Sequence, residues 1–341
     1  MRLVRMVLEQ FRSYPSAELH PDPGLTIIAG PNGAGKTNLL EAIFVAITGG
    51  RGQRAPEQEL VRHGAPFARV RLDLTDDAGA EARIELLLPA AEAPREIRKR
   101  VTLNGLPRRV GSLGETARAV LFRPEEMLLL VGSPSERRRF LDAILAQRDR
   151  RAARDLAELA RVLSQRNALL RAIRGEEASP EGLAFWDEQL AEIGGRLTAA
   201  RLALVADLDR RIGPLHDAVA PESERGDRVR LRYLDSLKDA WPGREAATEV
   251  AEAAERASLA EELTIAYRTR ISAVRQKELW NGVSLVGPQR DDLLAELDGR
   301  EVAAHASRGQ QRTIILAMKL AETDILAEDG PTPIVLLDDI F

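Results

Sequence analysis

Two short segments carry the residues best suited to chemistry. Residues 30 to 37 read Gly30-Pro31-Asn32-Gly33-Ala34-Gly35-Lys36-Thr37, followed by Asn38. Glycines let a loop bend and turn its backbone N–H groups toward an anion, and a helix starting where the loop ends adds a favourable dipole. The G-x-x-x-x-G-K-[ST] spacing places a lysine against the β- and γ-phosphates of a nucleotide and a hydroxyl against Mg²⁺. Lys36 and Thr37 fill those positions. Near the other end, Ile334-Val335-Leu336-Leu337 runs into Asp338-Asp339. Four apolar residues followed by acid predict a buried parallel strand that delivers a carboxylate to the phosphate loop. Asp338 is placed to hold the water shell of Mg²⁺, and Asp339 to act as general base toward an attacking water.

These groups need a frame. Leu25-Thr26-Ile27-Ile28-Ala29 precedes the loop and Asn38-Leu39-Leu40-Glu41-Ala42-Ile43 follows it, which predicts strand, loop and helix in the order phosphate binding requires. Arg69–Leu74 and Arg83–Leu88 alternate around a turn with Asp76, Asp77 and Gly79, and Val101–Leu103 meets Asn104-Gly105. Both patterns predict hairpins, so the loop lies beside an antiparallel patch. From about residue 126 to 280 the period becomes helical. Leu156, Leu159, Leu163, Leu170 and Ile173 form one stripe, and Leu183, Trp186, Leu190, Ile193, Leu197 and Leu204 another. The break at Gly175–Gly182 makes them two antiparallel helices, and a third helical stretch is expected from about Glu245 to Lys277. Beyond residue 280, Leu293–Leu297 and Arg300–Ala303 flank Asp298-Gly299 as a further hairpin, and Ser307 opens a helix ending before Asp329-Gly330-Pro331. The expected division is a head of 1–125 with 281–341, and a helical insertion of 126–280.

Composition sets outer limits. A chain of 341 residues, 44% hydrophobic, buries a substantial core, and without cysteine it has neither disulfides nor cysteine-ligated zinc. Met1 opens directly on mature-looking sequence and no apolar stretch is long enough to cross a bilayer, so the expected location is the cytoplasm. The net charge of −4 conceals local basic runs: Arg137-Arg138-Arg139, and Arg95, Arg98, Lys99, Arg100, Arg108 and Arg109. Such runs suit a sequence-independent phosphate track, though they also occur as ordinary solvated faces.

The long separation between phosphate loop and acidic strand, with helices between, resembles the ABC-class ATPases of chromosome maintenance and repair. Ser307-Arg308-Gly309-Gln310-Gln311 resembles their signature loop, which in that class faces nucleotide bound by a partner protomer. The resemblance narrows to the RecF recombination-repair family on three segments. These are Gln10–Tyr14, the run Pro124-Glu125-Glu126-Met127 through Phe140-Leu141-Asp142, and Gly287-Pro288-Gln289-Arg290-Asp291-Asp292.

The resemblance implies an α/β fold: an ABC-type P-loop ATPase head, with a mixed sheet and an antiparallel patch, carrying an inserted helical lobe. It implies a cytoplasmic ATPase that binds double-stranded, single-stranded and gapped junction DNA, dimerises with ATP, and works with RecO and RecR to help RecA replace single-strand binding protein. Carried over, the loop from Gly30 to Asn38 with Lys36, Thr37 and Asp338 would hold Mg-ATP, and Asp339 would orient water. Ser307, Gly309 and Gln310 would reach across the dimer, Arg12 would be a further nucleotide contact, and Arg137, Arg138 and Arg139 would be DNA contacts. Gln289 stands where the family usually has His, and the sequence closes at Phe341, before the expected D-loop. Asp339, one methylene shorter than the usual Glu, predicts slow hydrolysis. A transporter ATPase would share the loop and acidic strand but carries Leu-Ser-Gly-Gly-Gln and a short insertion, and a P-loop kinase would turn over as a monomer with a small acceptor.

Overall fold

The computed structural model describes residues 1–50, 56–76, 78–241 and 253–339. It comprises two units. The first is Met1–Glu126 with Ala146–Arg150 and Glu322–Phe341, and the second is Met127–Leu145 with Arg151–Ala321. Strands and helices are numbered separately in chain order.

The first unit is built on a six-stranded antiparallel sheet in the order β2-β1-β3-β4-β5-β6. Its strands are β1 (Arg2–Phe11), β2 (Tyr14–Leu19), β3 (Phe67–Thr75), β4 (Glu81–Pro89), β5 (Arg100–Leu103) and β6 (Leu106–Pro107). In β3, Ala68, Val70, Leu72 and Leu74 are buried while the intervening residues are not, and β4 repeats the alternation with Ala82, Ile84, Leu86 and Leu88. A period of two with one apolar face is the mark of a sheet buried on one side. The expected pairings of 69–74 with 83–88 and across Asn104-Gly105 both form. Helix α1 (Lys36–Thr48) packs Ala42, Ile43, Phe44, Val45 and Ile47 into the same core as that inner face.

A second, two-stranded sheet pairs β7 (Ala119–Phe122) in parallel with β11 (Ile334–Leu337), in the register Ile334↔Ala119 to Leu337↔Phe122. All four residues of β7 are buried. Arg118, 3% exposed, secures the approach to both strands. Its guanidinium donates to the Gly114 and Leu326 carbonyls and to Asp329, which also accepts from Arg148.

One expectation fails here. Leu25–Ala29 is not a strand: Leu25 and Ile27 are 79% and 80% exposed, and the segment joins no described ladder. A strand exists only with a hydrogen-bonded neighbour. β11, the expected one, makes its ladder with β7 instead.

From Met127 on, α2 (Leu128–Val131) and α3 (Pro134–Arg148) lead into α4 (Arg150–Arg174) and α5 (Leu183–Val219), broken at Gly175–Gly182 as expected; Ala146–Arg150, at the α3–α4 junction, count with the first unit and the rest with the second. The third helix, α6, runs Ala253–Asn281, and the expected residues 245–252 lie outside those described. Leu159, Val162, Leu190, Ile193, Leu197, Leu263, Tyr267 and Ile271 share one core. Helices α5 and α6 meet closely at two glycines of α5. A Cβ on Gly194 would stand 2.9 Å from the Tyr267 ring, and one on Gly195 2.5 Å from the Ala260 carbonyl oxygen. Only residues without side chains allow that spacing.

The same unit contains β8 (Val229–Leu234), β9 (Asp292–Leu297) and β10 (Arg300–Glu301), antiparallel in the order β10-β9-β8. Residues 281–321 therefore group with the second unit, not with the head as expected, because β9 takes β8 as its ladder partner. The hairpin at Asp298-Gly299 forms, but its second strand is shorter than expected: Val302–His305 is a helical turn, α7, ahead of α8 (Arg308–Glu328).

Candidate nucleotide site

The phosphate loop ends at Gly35, the N-cap of α1, whose φ of 95° and ψ of 13° place it in the left-handed region. Such a backbone is open to glycine at no steric cost, and a side chain here meets a second obstacle. A Cβ at Gly35 would lie 2.9 Å from both the Ser13 Oγ and the Tyr14 hydroxyl oxygen. The turn between β1 and β2 is thus pressed against the loop, and each of its side chains is engaged there. Tyr14 OH donates to the Ala34 carbonyl at 3.2 Å, and Asn38 Nδ2 donates to Ser13 Oγ at 2.9 Å. Arg12 donates to both Glu41 carboxylate oxygens, at 2.8 and 3.1 Å, and to the Glu59 carbonyl. Glu41 sits on α1 at 6% exposure, so Arg12 ties the turn to the helix that the loop feeds. Arg12 also has a φ of 50°, an uncommon conformation outside glycine.

Lys36 curls back over the loop. Its ammonium donates to the Gly30 carbonyl at 2.8 Å and the Pro31 carbonyl at 3.1 Å. These are the backbone oxygens of the loop itself, and the Pro31 carbonyl also accepts from the Ala34 N–H at 3.2 Å, so the charge is held against the loop's own turn.

The acidic strand reaches this loop despite the missing strand at 25–29. Asp338 N–H donates to the Phe122 carbonyl at 3.0 Å, continuing the β7–β11 ladder by one residue, and Thr37 Oγ1 donates to Asp338 Oδ1 at 3.2 Å. The two residues are 301 positions apart in sequence. A hydroxyl and a carboxylate are hard oxygen donors, and Mg²⁺ characteristically takes one or two such protein ligands, keeping water and phosphate oxygens for the rest of its octahedron. The pair fits that ion. Among the described residues no group of three or more His, Asp or Glu side chains is gathered for a cation, so a site built wholly from protein ligands is not found there. Asp339 follows with φ 46° and an exposed side chain.

The residues of the expected signature loop lie in the second unit and are hydrogen-bonded to each other. Gln310 N–H donates to Ser307 Oγ at 3.2 Å, and Ser307 N–H donates to Gln310 Oε1 at 2.9 Å. This reciprocal pair is a capping box at the start of α8. Gly309 lies in the first turn, and Thr313, four residues on, donates to Glu224 at 3.3 Å.

The arginine run is turned inward. Arg137 makes two hydrogen bonds to Asp292, at 2.6 and 2.8 Å, and a third to the Gly132 carbonyl. Arg138 donates to the Asp291 carbonyl, and Arg139 is paired with Glu136. In the same unit Arg201, 1% exposed, is bidentate on Asp142 and donates to the Pro288 carbonyl. Asp291 is fully buried and accepts from Tyr233 OH at 2.6 Å and from the Ser236 N–H at 2.8 Å. Burial pushes its carboxyl above the ordinary value, against the opposing pull of Arg201 and these hydrogen bonds. The segment 287–292 therefore serves as a polar keystone, and Gln289 contributes a bond from Nε2 to the Val286 carbonyl.

Sequence reasoning did not assign Ser13, Tyr14, Glu41 or Arg118 a part in the site. The first two were visible within the Gln10–Tyr14 segment; the others carry no local signal, since a glutamate in a helix and an arginine before a strand are ordinary.

Three comparisons bear on this geometry. Residues 2–341 match the model of the RecF/RecN/SMC N terminal domain. The chain is 36% identical over its full length to the DNA replication and repair protein RecF of Chloroflexus aurantiacus, covering 86% of that protein, and 39% identical to RecF of Kineococcus radiotolerans, again covering 86%. A solved structure described as the recombination mediator protein RecF-ATP in the RecFOR pathway superposes with a TM-score of 0.84 at 28% identity, covering 99% of this chain and 84% of that one. With a phosphate loop, a distant acidic strand and a full-length match to these relatives, the chain belongs to the RecF family, an ABC-class ATPase family.

Proposed function

We propose that this protein is an ATP-dependent DNA-binding switch of recombinational repair. It binds Mg-ATP, dimerises on gapped or single-to-double-strand junction DNA, and together with RecO and RecR promotes RecA loading in the cytoplasm. The observation that carries the nucleotide part is the Thr37–Asp338 hydrogen bond, which brings the two halves of a phosphate site together. In this reading the N–H groups of Gly33 to Thr37 and the Lys36 ammonium bind the phosphates, while Thr37 and Asp338 hold Mg²⁺, which supplies charge neutralisation when bound. Asp339 orients water. Ser307 and Gly309 present a hydroxyl and a helix N-terminus to nucleotide held by a second copy.

ATP-bridged association followed by hydrolysis makes a switch, because a ligand that favours one state shifts the equilibrium by its differential affinity alone. The test is sedimentation of the protein with a labelled duplex-to-single-strand junction in Mg-ATP, in ADP and without nucleotide. Dimers on DNA only with ATP, lost in Lys36→Met and in Ser307→Arg, support the proposal. A monomer indifferent to nucleotide and DNA overturns it.

A further inference from the structure

Charge on the solvent face of the six-stranded sheet is matched almost residue for residue. Arg5 pairs with Glu18 at 2.7 Å, Arg83 with Asp73 at 2.5 Å, Arg71 with Glu85 at 3.1 Å and Arg69 with Glu9 at 3.1 Å. The pattern stops at the β5–β6 end. Between residues 90 and 109 the sequence has Arg95, Arg98, Lys99, Arg100, Arg108 and Arg109 against only Glu92 and Glu96. Lys99 is spent on Glu57 and the Gly49 carbonyl. The five arginines are exposed, and none pairs with a carboxylate among the described residues.

Backbone register brings three of them, Arg100, Arg108 and Arg109, to one end of the sheet, and Arg98 Nε donates to the Arg95 carbonyl in the segment leading into β5. Thr102↔Pro107 and Leu103↔Leu106 pair, and Arg108 N–H donates to the Val101 carbonyl at 2.9 Å, which adds Val101 and Arg108 to the register; Arg109, extended at φ −80° and ψ 139°, follows, so the same register carried on by one residue sets it against Arg100. Like charges directly across a ladder destabilise it. A fixed anion relieves that repulsion, and guanidinium groups match phosphate in shape and hydrogen bonding. Leu106 is the one large apolar side chain strongly exposed in this stretch, too little for the apolar centre of a protein interface.

We propose that the β5–β6 edge, carried by Arg95, Arg98, Arg100, Arg108 and Arg109, is a docking surface for the phosphate backbone of nucleic acid, read without regard to base sequence. This rests on the DNA-binding reading above and assigns it a place other than the paired run Arg137–Arg139. Binding is governed by charge neutralisation, so it falls with salt at a slope of about 0.9 per phosphate contact.

The experiment is equilibrium binding of a labelled mixed-sequence duplex across a salt series. It compares the wild type with Arg100→Glu/Arg109→Glu and the milder Arg100→Gln/Arg109→Gln, with Mg-ATP titration and melting temperature as controls. Expected is a loss of affinity of about 10-fold or more for the charge reversal, less for the neutral pair, and a salt slope shallower by about 2, with nucleotide binding unchanged. If the wild type binds duplex and both variants bind equally with the same slope, the surface is wrong while the DNA reading stands. If the wild type does not bind duplex at all, both fall. If a polyglutamate peptide competes better than duplex and only its binding is lost in the variants, the edge takes an acidic protein instead and the proposal is overturned.

Discussion

The Tyr14 hydroxyl donates to the Ala34 carbonyl at 3.2 Å and so fixes one peptide of the phosphate loop from outside. That carbonyl would otherwise be free to rotate, and with it the Gly35 N–H on the same peptide unit. Tyr14→Phe removes a single hydrogen bond of about 1 kcal/mol, so Mg-ATP affinity should fall roughly five-fold with little change in melting temperature. A fluorescent-nucleotide titration checks this, and unchanged affinity would show that the tie does not shape the loop. Gly35→Ala should be far more severe, since it meets both a positive φ and two atoms at 2.9 Å.

Thr37 and Asp338 predict a specific form of magnesium dependence. Asp338→Asn keeps the shape and the acceptor for Thr37 but removes the charge, so ATP should still bind while its affinity ceases to rise when Mg²⁺ is added. Calorimetric titration with and without Mg²⁺ separates the two effects. An Asn variant with full magnesium enhancement would remove Asp338 from the site.

Hydrolysis should be slow. Asp339 is exposed and carries the shorter of the two acidic side chains, so steady-state turnover on DNA is expected below about 10 s⁻¹. A phosphate-release assay with saturating junction DNA measures it, and a faster rate would contradict a role as a switch.

In the helical unit Arg166, 1% exposed, donates to Asp187, to Glu278 and to Ser284 Oγ. Glu278 is itself fully buried. Glu278→Ala leaves a buried guanidinium short of its counter-charge and should lower stability to urea by about 3 kcal/mol or more. Replacing the exposed Glu176 should change it by less than about 0.5 kcal/mol. Comparable effects at both positions would mean the buried pair is not what holds α4 to α6.

The Asp329 cluster gives a pH signature. Partial burial pushes this carboxyl up, but Arg148 and Arg118 outweigh it and hold the group below its ordinary value. A carboxyl depressed in the folded state contributes stability that is present above its unfolded pKa near 4 and is lost as pH falls through the lower folded value. Urea midpoints measured from pH 6 down to 3 should therefore drop less for Asp329→Asn than for the wild type. Parallel curves would exclude the cluster as an acid-sensitive brace.

The elements legible in sequence are those whose signal is local. The phosphate loop is fixed by spacing, β3 and β4 by strict alternation, the α4–α5 break by Gly175–Gly182, and Asp338 by four apolar residues before an acid. What escaped depends on a partner distant in the chain. Leu25–Ala29 has the composition of a strand, yet β11 pairs elsewhere. Arg137–Arg139 has the composition of a solvated or DNA-facing run, yet Asp292 and the Asp291 carbonyl absorb its first two members. Arg166 sits in a helix read by its leucine stripe, which gives no sign that a charged cluster lies in the same interior. Composition marks which groups are available, and topology decides which of them remain free for a ligand.

The 301 positions between Thr37 and Asp338 also order events during synthesis. At about 5–20 residues per second, roughly 15–60 s pass between the two residues leaving the peptidyl-transferase centre. Over that interval β7 lacks its parallel neighbour and the phosphate loop lacks its acid. The Thr37–Asp338 hydrogen bond is thus a late contact of the growing chain, made only once β11 has been synthesised and pairs with β7.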